Sequence, residues 1–344
     1  MPGMYVITKV NKKQQYGGFL FLVLLSFVLF ILNLLTGSAG IPFISENILH
    51  STDDAGNKIW KTIIFEIRLP RALSAFLGGG ALALSGLLLQ TFFRNPLAGP
   101  DILGIASGAG FGAAVVILVI PFLGIAGIIS TAAAAIAGSV TVTLFLVMLV
   151  KKSGSITLTL IAGLLAGYFI SSVTGIMIRF SSNQAIRSFI NWSAGNFKNI
   201  SPDTLFFLLL IVVSSFLAAF VISKHCDLYL LGDDYASSMG LNLKRFRYSV
   251  IIITSILTGA VTSLCGPVAF IGIASPHFCR FFLKTEKHNI LIPGTFFSGT
   301  ILALAADTIS ALPGYGTTLP LNSVTAIIGT PIVIKVLFKG YYDR

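Results

Sequence analysis

Few residues in this chain can react, ligate or titrate, and their spacing decides what chemistry is open to them. Asp307 stands inside an apolar run, where a carboxylate is costly and marks either a transport path or a buried pair. Ser107 and His277 are the pair an intramembrane hydrolase would bring together. Ser107, however, falls beside a glycine ladder near the end of its run, which is a packing context. Asp233 and Asp234 mimic a catalytic carboxylate pair, but adjacent residues on a helix point apart, so no acid–base role is assigned. Cys226, Cys265 and Cys279 form neither a ligand-spaced cluster nor a disulfide framework. No catalytic set and no metal site is expected. Gly78, Gly79 and Gly80, like the glycines of 108–112, lie within apolar runs, whereas a dinucleotide fingerprint must follow a strand. No Gly-Lys pair occurs, so there is no Walker A loop. If ATP drives this protein, ATP and Mg are bound by a separate chain, and this chain binds no cofactor itself.

The elements that must position these residues are membrane helices. Of 344 residues, 55% are hydrophobic and 10% charged, and the mean hydropathy is +0.91. A soluble domain carries about 25% charged residues, so this chain cannot cover a water-facing surface. Ten apolar runs are bounded by charge, proline or glycine: 19–35, 71–90, 102–120, 125–150, 156–179, 205–223, 249–264, 267–283, 290–312 and 322–338. Continuous apolar runs of this length read as helices, because barrel strands alternate. The expected fold is all-α, a single polytopic domain over 1–344 of about ten transmembrane helices in the lipid bilayer. A polar tail (1–18) and a polar connection (224–248) flank the spans. Lys9, Lys12 and Lys13 precede the first run as in a secretory signal, but nine more runs follow, so an uncleaved first helix is expected.

The formal charge of +11 sits at span ends, which reads as topology and gives no reason to expect nucleic acid. With both termini in the cytoplasm, 16 of the 23 Lys and Arg residues lie inside and 7 outside, so both termini are expected to be cytoplasmic. Arg68 and Arg71 run against this bias at the outer mouth of the second run, which favours recruitment of an acidic partner. Gly104, Gly108 and Gly112, and Gly163, Gly167, Ser171 and Gly175, repeat at i+4. Small residues at that spacing let helix backbones approach. The first ladder reads as internal packing, the second equally as packing, a pore seam or a partner contact.

Arg68-Leu69-Pro70-Arg71, Gly80-Ala81-Leu82-Ala83-Leu84-Ser85-Gly86, Gln90, and Arg94-Asn95-Pro96-Leu97-Ala98-Gly99-Pro100 together resemble one family. So do Leu230-Leu231-Gly232, Ala236, Gly240, Arg247, Gly266-Pro267-Val268-Ala269-Phe270-Ile271-Gly272, Pro276-His277, Ala306-Asp307 and Pro320. The chain is similar to permease subunits of ABC importers for iron-siderophore complexes, haem and cobalamin in the bacterial cytoplasmic (inner) membrane. The resemblance implies a second permease subunit, two cytoplasmic ATPase subunits and an extracytoplasmic substrate-binding protein. It places Arg68 and Arg71 against acidic residues of the binding protein. Asn95 and Leu97 would form the inner constriction, with Ser155 as a companion. Leu230, Leu231, Gly232, Ala236, Met239 and Gly240 would belong to the ATPase coupling helices, for which the apolar residues of 228–247 give an independent physical reason. Gly163, Gly167, Ser171 and Asp307 would serve the path or its packing.

Two positions depart from the family pattern. Ala311 stands where relatives often carry a further arginine, and Thr318-Leu319-Pro320-Leu321-Asn322 replaces Glu-Leu-Pro-Val-Gly. An ATP-driven iron-siderophore importer is the expected function, with haem or cobalamin as alternative cargo. An ion-coupled secondary transporter fits less well, because Asp307 is nearly alone as an intramembrane carboxylate.

Overall fold

The computed structural model describes residues 12–36, 62–123, 130–153, 155–198, 200–311 and 318–342. The expected tail residues 1–11, the outer segment 41–61 and the first residues of the 125–150 run lie outside them. Among the described residues every regular element is helical. The helices are α1 (Lys12–Leu35), α2 (Leu69–Phe93), α3 (Ile105–Ala114), α4 (Thr131–Ser153), α5 (Ile156–Arg179), α6 (Asn183–Ser193) and α7 (Pro202–Val221). They continue with α8 (Ser223–Leu230), α9 (Asp233–Ser238), α10 (Leu243–Cys265), α11 (Ile271–Leu283), α12 (His288–Ala311) and α13 (Leu321–Tyr342).

α2 is the axis of the bundle. A π-helical turn, Ile63–Arg68, leads into it, and Pro70 sits in its first turn, where a missing N–H costs nothing. The glycines explain why so many helices can surround it. A Cβ on Gly86 would land on the Gly272 carbonyl of α11. One on Gly79 would strike Gly299 and Ala303 of α12, and Gly299 is equally closed by Gly79 and Ala83. Thr300 Oγ1 donates to the Phe76 carbonyl at 2.9 Å, and Ser85 Oγ lies 2.9 Å from Thr258 Oγ1 of α10. The order of these contacts gives direction. Arg71 meets Asp307 and Phe76 meets Thr300, so α2 and α12 are antiparallel. Gly86 meets Gly272 and Gln90 bonds Arg280, so α2 and α11 are parallel.

The first ladder packs internally, as expected. Gly108 faces the Gly138 carbonyl and Gly112 the Ala134 carbonyl, an antiparallel crossing of α3 and α4. Gly104 has a different job: its φ of +69° places it in the left-handed region at the head of α3, so it begins the helix and is not a rung on its face. The second ladder divides. Gly163 and Gly167 close on Leu103 and Gly104, whereas Ser171 is exposed and a Cβ on Gly175 would meet nothing within 4 Å.

Seven helices among the described residues are long and apolar enough to cross a membrane. The runs 102–120 and 267–283 correspond to shorter or interrupted helices, and 322–338 to the 22-residue α13, with Pro331 inside it. The seventh run is longer than its apolar stretch suggested, because α10 takes its first turn from Leu243, Lys244 and Arg245. The eighth is a correction. Only Ile271–Leu283 is helical, 13 residues or about 20 Å, too short for a ~30 Å hydrocarbon layer. Residues 266–270 cannot join it, since Gly266 (φ +74°) and Phe270 (φ +67°) are left-handed and Pro267 lacks an N–H. Irregular backbone at this depth must be enclosed by protein. The Cys265 carbonyl accepts from Asn196 N–H at 2.8 Å, and Ala269 N–H donates to Asn322 Oδ1 at 3.0 Å.

Gly86→Ala is therefore expected to destabilise the detergent-solubilised protein by about 1–3 kcal/mol through overpacking. Gly110→Ala, where a Cβ meets nothing within 4 Å, should leave the thermal unfolding midpoint unchanged or slightly raised.

Candidate functional site: a polar bundle with two working ends

At the Arg68 end of α2, Arg71 and Asp307 form an ion pair, Nε to Oδ2 at 2.8 Å, with only 7% and 2% of each residue exposed. Arg71 Nη2 also donates to the Asp307 carbonyl at 3.0 Å, and Asn33 Nδ2 of α1 donates to Asp307 Oδ2 at 2.8 Å. Of the transport path and the buried pair expected for Asp307, the structure shows the buried pair, which ties α1, α2 and α12 together. The expectation for Arg71 changes. Arg71 is not presented at a mouth; its charge is enclosed with Asp307, because three helices converge on it. Arg68 differs. It is partly exposed, donates to the Leu34 and Leu35 carbonyls at 3.2 and 3.0 Å, and makes no ion pair among the described residues. Lys198, in the connection after α6, has its pKa lowered by burial and by Arg71, with Asp307 opposing.

Asn322, one of the positions expected to depart from the family pattern, takes part in this end. Its side chain accepts from Ala269 N–H, and its own N–H donates to the Ala194 carbonyl at 3.1 Å. The departure in the tenth run thus supplies the acceptor that the interrupted eighth run needs.

At the opposite end, α2 stops at Arg94, whose φ of 48° is left-handed. Asn95 Oδ1 accepts from Leu97 N–H at 2.9 Å, an Asx turn that sets the 95–97 corner. His277 Nε2–H donates to the Pro96 carbonyl at 2.8 Å. Its role is to hold this corner, and it is not brought to Ser107, which lies against Gly167. Gln90 donates to the Ile273 carbonyl and accepts from Arg280 at 2.9 Å, fixing α11 beside the corner. Ser155 is exposed and caps α5 by accepting from Leu158 N–H. It belongs to the same end as Asn95 and Leu97, because α3 and α4 form an antiparallel pair before α5.

The connection expected to couple to a partner is a compact pair of helices, α8 and α9. Gly232 (φ +109°) and Gly240 (φ +89°) turn the chain before and after α9. Leu231, Tyr235 and Met239 are 61%, 52% and 59% exposed and follow one another at i+4, with Leu230 beside them. Ala236, expected in the contact, is fully buried and packs α9 onto the bundle instead. Tyr235 was not anticipated, although its i+4 spacing from Met239 carries the signal. α8 is anchored by a buried relay: His288 Nδ1 and N–H both meet Asp227 Oδ1, at 2.7 and 3.0 Å, and His288 Nε2 lies 2.7 Å from Thr91 Oγ1.

Removing one member of a buried ion pair costs about 3–5 kcal/mol, whereas replacing both by apolar groups is often neutral. Asp307→Ala should therefore lower thermal stability in detergent far more than Arg71→Met with Asp307→Leu. A double-mutant cycle read by thermal unfolding checks the order.

The profile of the FecCD transport family matches residues 24–339. The chain is 31% identical over 333 residues to a vitamin B12 import system permease protein, BtuC, of Salmonella arizonae, covering 96% of this chain and 97% of that protein. It is 31% identical over 331 residues to the same permease of Salmonella typhi, covering 96% and 98%. Its fold is similar to that of a metal-chelate type ABC transporter in an inward-facing conformation, with a TM-score of 0.82 at 24% identity over 96% of this chain and 100% of that one. A chain of PsaBC from Streptococcus pneumoniae is more distant, with a TM-score of 0.52 at 13% identity over 81% and 94%. A profile match over nearly the whole described bundle, with permease relatives covered end to end, makes this chain a member of the FecCD transport family, the permease subunits of ABC importers.

Proposed function

We propose that this chain is the permease of an ATP-driven importer that passes an iron-siderophore complex from a binding protein across the bacterial cytoplasmic membrane. Family membership supports the importer class, and the exposed apolar side chains of Leu231, Tyr235 and Met239 support the direction of coupling. An apolar ridge on a short helical pair has reason to dock in a groove of a protein partner, here the ATPase that the chain itself lacks. The α8–α9 end is then cytoplasmic, in keeping with the basic residues concentrated there. Asn95, Leu97 and Ser155 form the inner constriction together with the second permease subunit, and Arg68 faces the binding protein outside. Arg71 is left out of that contact because Asp307 holds it.

A large polar chelate of any of these classes crosses best through a path with few fixed ligands, so a shortage of ligands does not distinguish the cargoes. Cobalamin is the second reading, favoured by the vitamin B12 permeases among the relatives. The altered outer end, with Ala311 and Asn322, argues against borrowing their cargo directly.

Reconstitution with the ATPase and binding protein, followed by uptake of radiolabelled ferric hydroxamate and of cyanocobalamin, tests the reading. ATP-dependent ferric hydroxamate uptake is expected to exceed cyanocobalamin uptake by about tenfold, the discrimination given by ~1.4 kcal/mol. The reverse preference replaces the cargo, and uphill transport by the chain alone on a proton or sodium gradient overturns the proposal.

Leu231→Glu with Met239→Glu is expected to weaken ATPase association by about tenfold or more, as for loss of interface hot-spot residues. Co-purification against a titrated ATPase measures it. Arg68→Glu should weaken binding-protein association at low salt, with a difference that shrinks as salt rises.

A further inference from the structure

The corner at 95–97 and the α8–α9 pair are joined through one carboxylate. Asp233, in the first turn of α9, meets Arg94 Nη2 through Oδ1 at 2.5 Å and Arg247 Nη2 through Oδ2 at 2.6 Å. The same Arg94 nitrogen donates to the Tyr229 carbonyl at 2.7 Å, and the guanidinium lies 4.4 Å from the Tyr229 ring centre. Tyr229, fully buried at the end of α8, donates its hydroxyl to the Phe92 carbonyl of α2 at 3.2 Å.

Arg94 is therefore held from three sides in a left-handed conformation that a residue with a Cβ rarely adopts. It caps α2, and Asn95 follows it directly. A displacement of α9 that keeps the Asp233 contact must move the Arg94 side chain, and the corner follows through its backbone. The helical pair has two anchors. The Asp227–His288–Thr91 relay fixes α8 to α2 and α12 through the fully buried His288, with the Asp227 side chain 40% exposed. The Asp233 link is 35% exposed on the Asp233 and Arg94 side chains and 11% on that of Arg247. A half-exposed ion pair contributes little to stability, so its geometry has more consequence as a linkage than as a brace.

We propose that Asp233 is a positioning residue that carries movement of the coupling helices to the Asn95–Leu97 constriction through Arg94. The inference rests on the permease reading above, and its test separates the two. Leu97→Cys is introduced into the chain in complex with its ATPase. Labelling by a membrane-impermeant maleimide is followed in inverted vesicles, nucleotide-free and after trapping with MgATP and vanadate. Background labelling is small, because Cys226, Cys265 and Cys279 are buried and burial raises the Cys226 thiol pKa.

With Asp233 intact, the labelling rate should differ between the two states by about fivefold or more, the lower range of coupling between sites. In Asp233→Asn and in Arg94→Gln the difference should fall to less than about twofold, while the ATPase still co-purifies and hydrolyses ATP. Asp233→Glu, which keeps the charge, should retain most of it. A full state-dependent difference in Asp233→Asn overturns the inference, as does loss of ATPase binding in both charge-removing variants, which would make the residues docking contacts. No difference between states with Asp233 intact overturns the constriction at Leu97, and with it the permease reading at this end.

Discussion

The carbonyl oxygen of Gly272 occupies the place where a side chain on Gly86 would have to be. Helices in lipid gain nothing from burying apolar surface against one another, because lipid tails are equally apolar; they gain from close contact. Removing the side chain at Gly79, Gly86 and Gly299 lets α11 and α12 reach the α2 backbone. With α10 also held through Ser85 and Thr258, α2 is enclosed by neighbours, and the polar groups at its two ends have fixed partners. The Arg71–Asp307 pair and the Arg94 corner are both placed by that one helix.

The two ends use charge differently. At the Arg68 end the ion pair is enclosed and shared with Asn33, so it joins three helices that cannot separate without exposing a bare charge to lipid. At the Arg94 end Asp233 is partly open to water, where ion pairs are weak and geometry can change at little cost. The proposed coupling needs both properties: a part that stays together and a part that a partner can displace. The interrupted α11 lies between them. Its irregular entry, 266–270, is satisfied by Asn196 and Asn322, and its middle carries His277 to the Pro96 carbonyl.

Much of the fold was legible along the chain. Apolar runs bounded by charge located the helices, and the i+4 glycines of α3 correctly implied contact with a neighbour. The family motifs led to the class of protein. Legibility failed wherever a residue's neighbours are distant in sequence. Arg71 and Arg68 are three positions apart and look alike, yet one is enclosed by Asp307 and Asn33 while the other reaches the Leu34 and Leu35 carbonyls. Ala236 sits among the exposed Leu231, Tyr235 and Met239 and is itself buried. The 267–283 run is apolar throughout, so hydropathy alone could not show that its first residues are not helical.

Composition and pattern by themselves determined that this is an all-helical membrane chain without an ATP-binding loop, since hydropathy, glycine spacing and the missing Gly-Lys pair are local properties. Tertiary structure alone decided which charges are enclosed, which apolar side chains are presented, and that Asn322 completes the backbone of a segment 53 residues away. Those outcomes depend on which helices approach which. That approach is governed by backbone contact at a few glycines, whose partners no sequence pattern names.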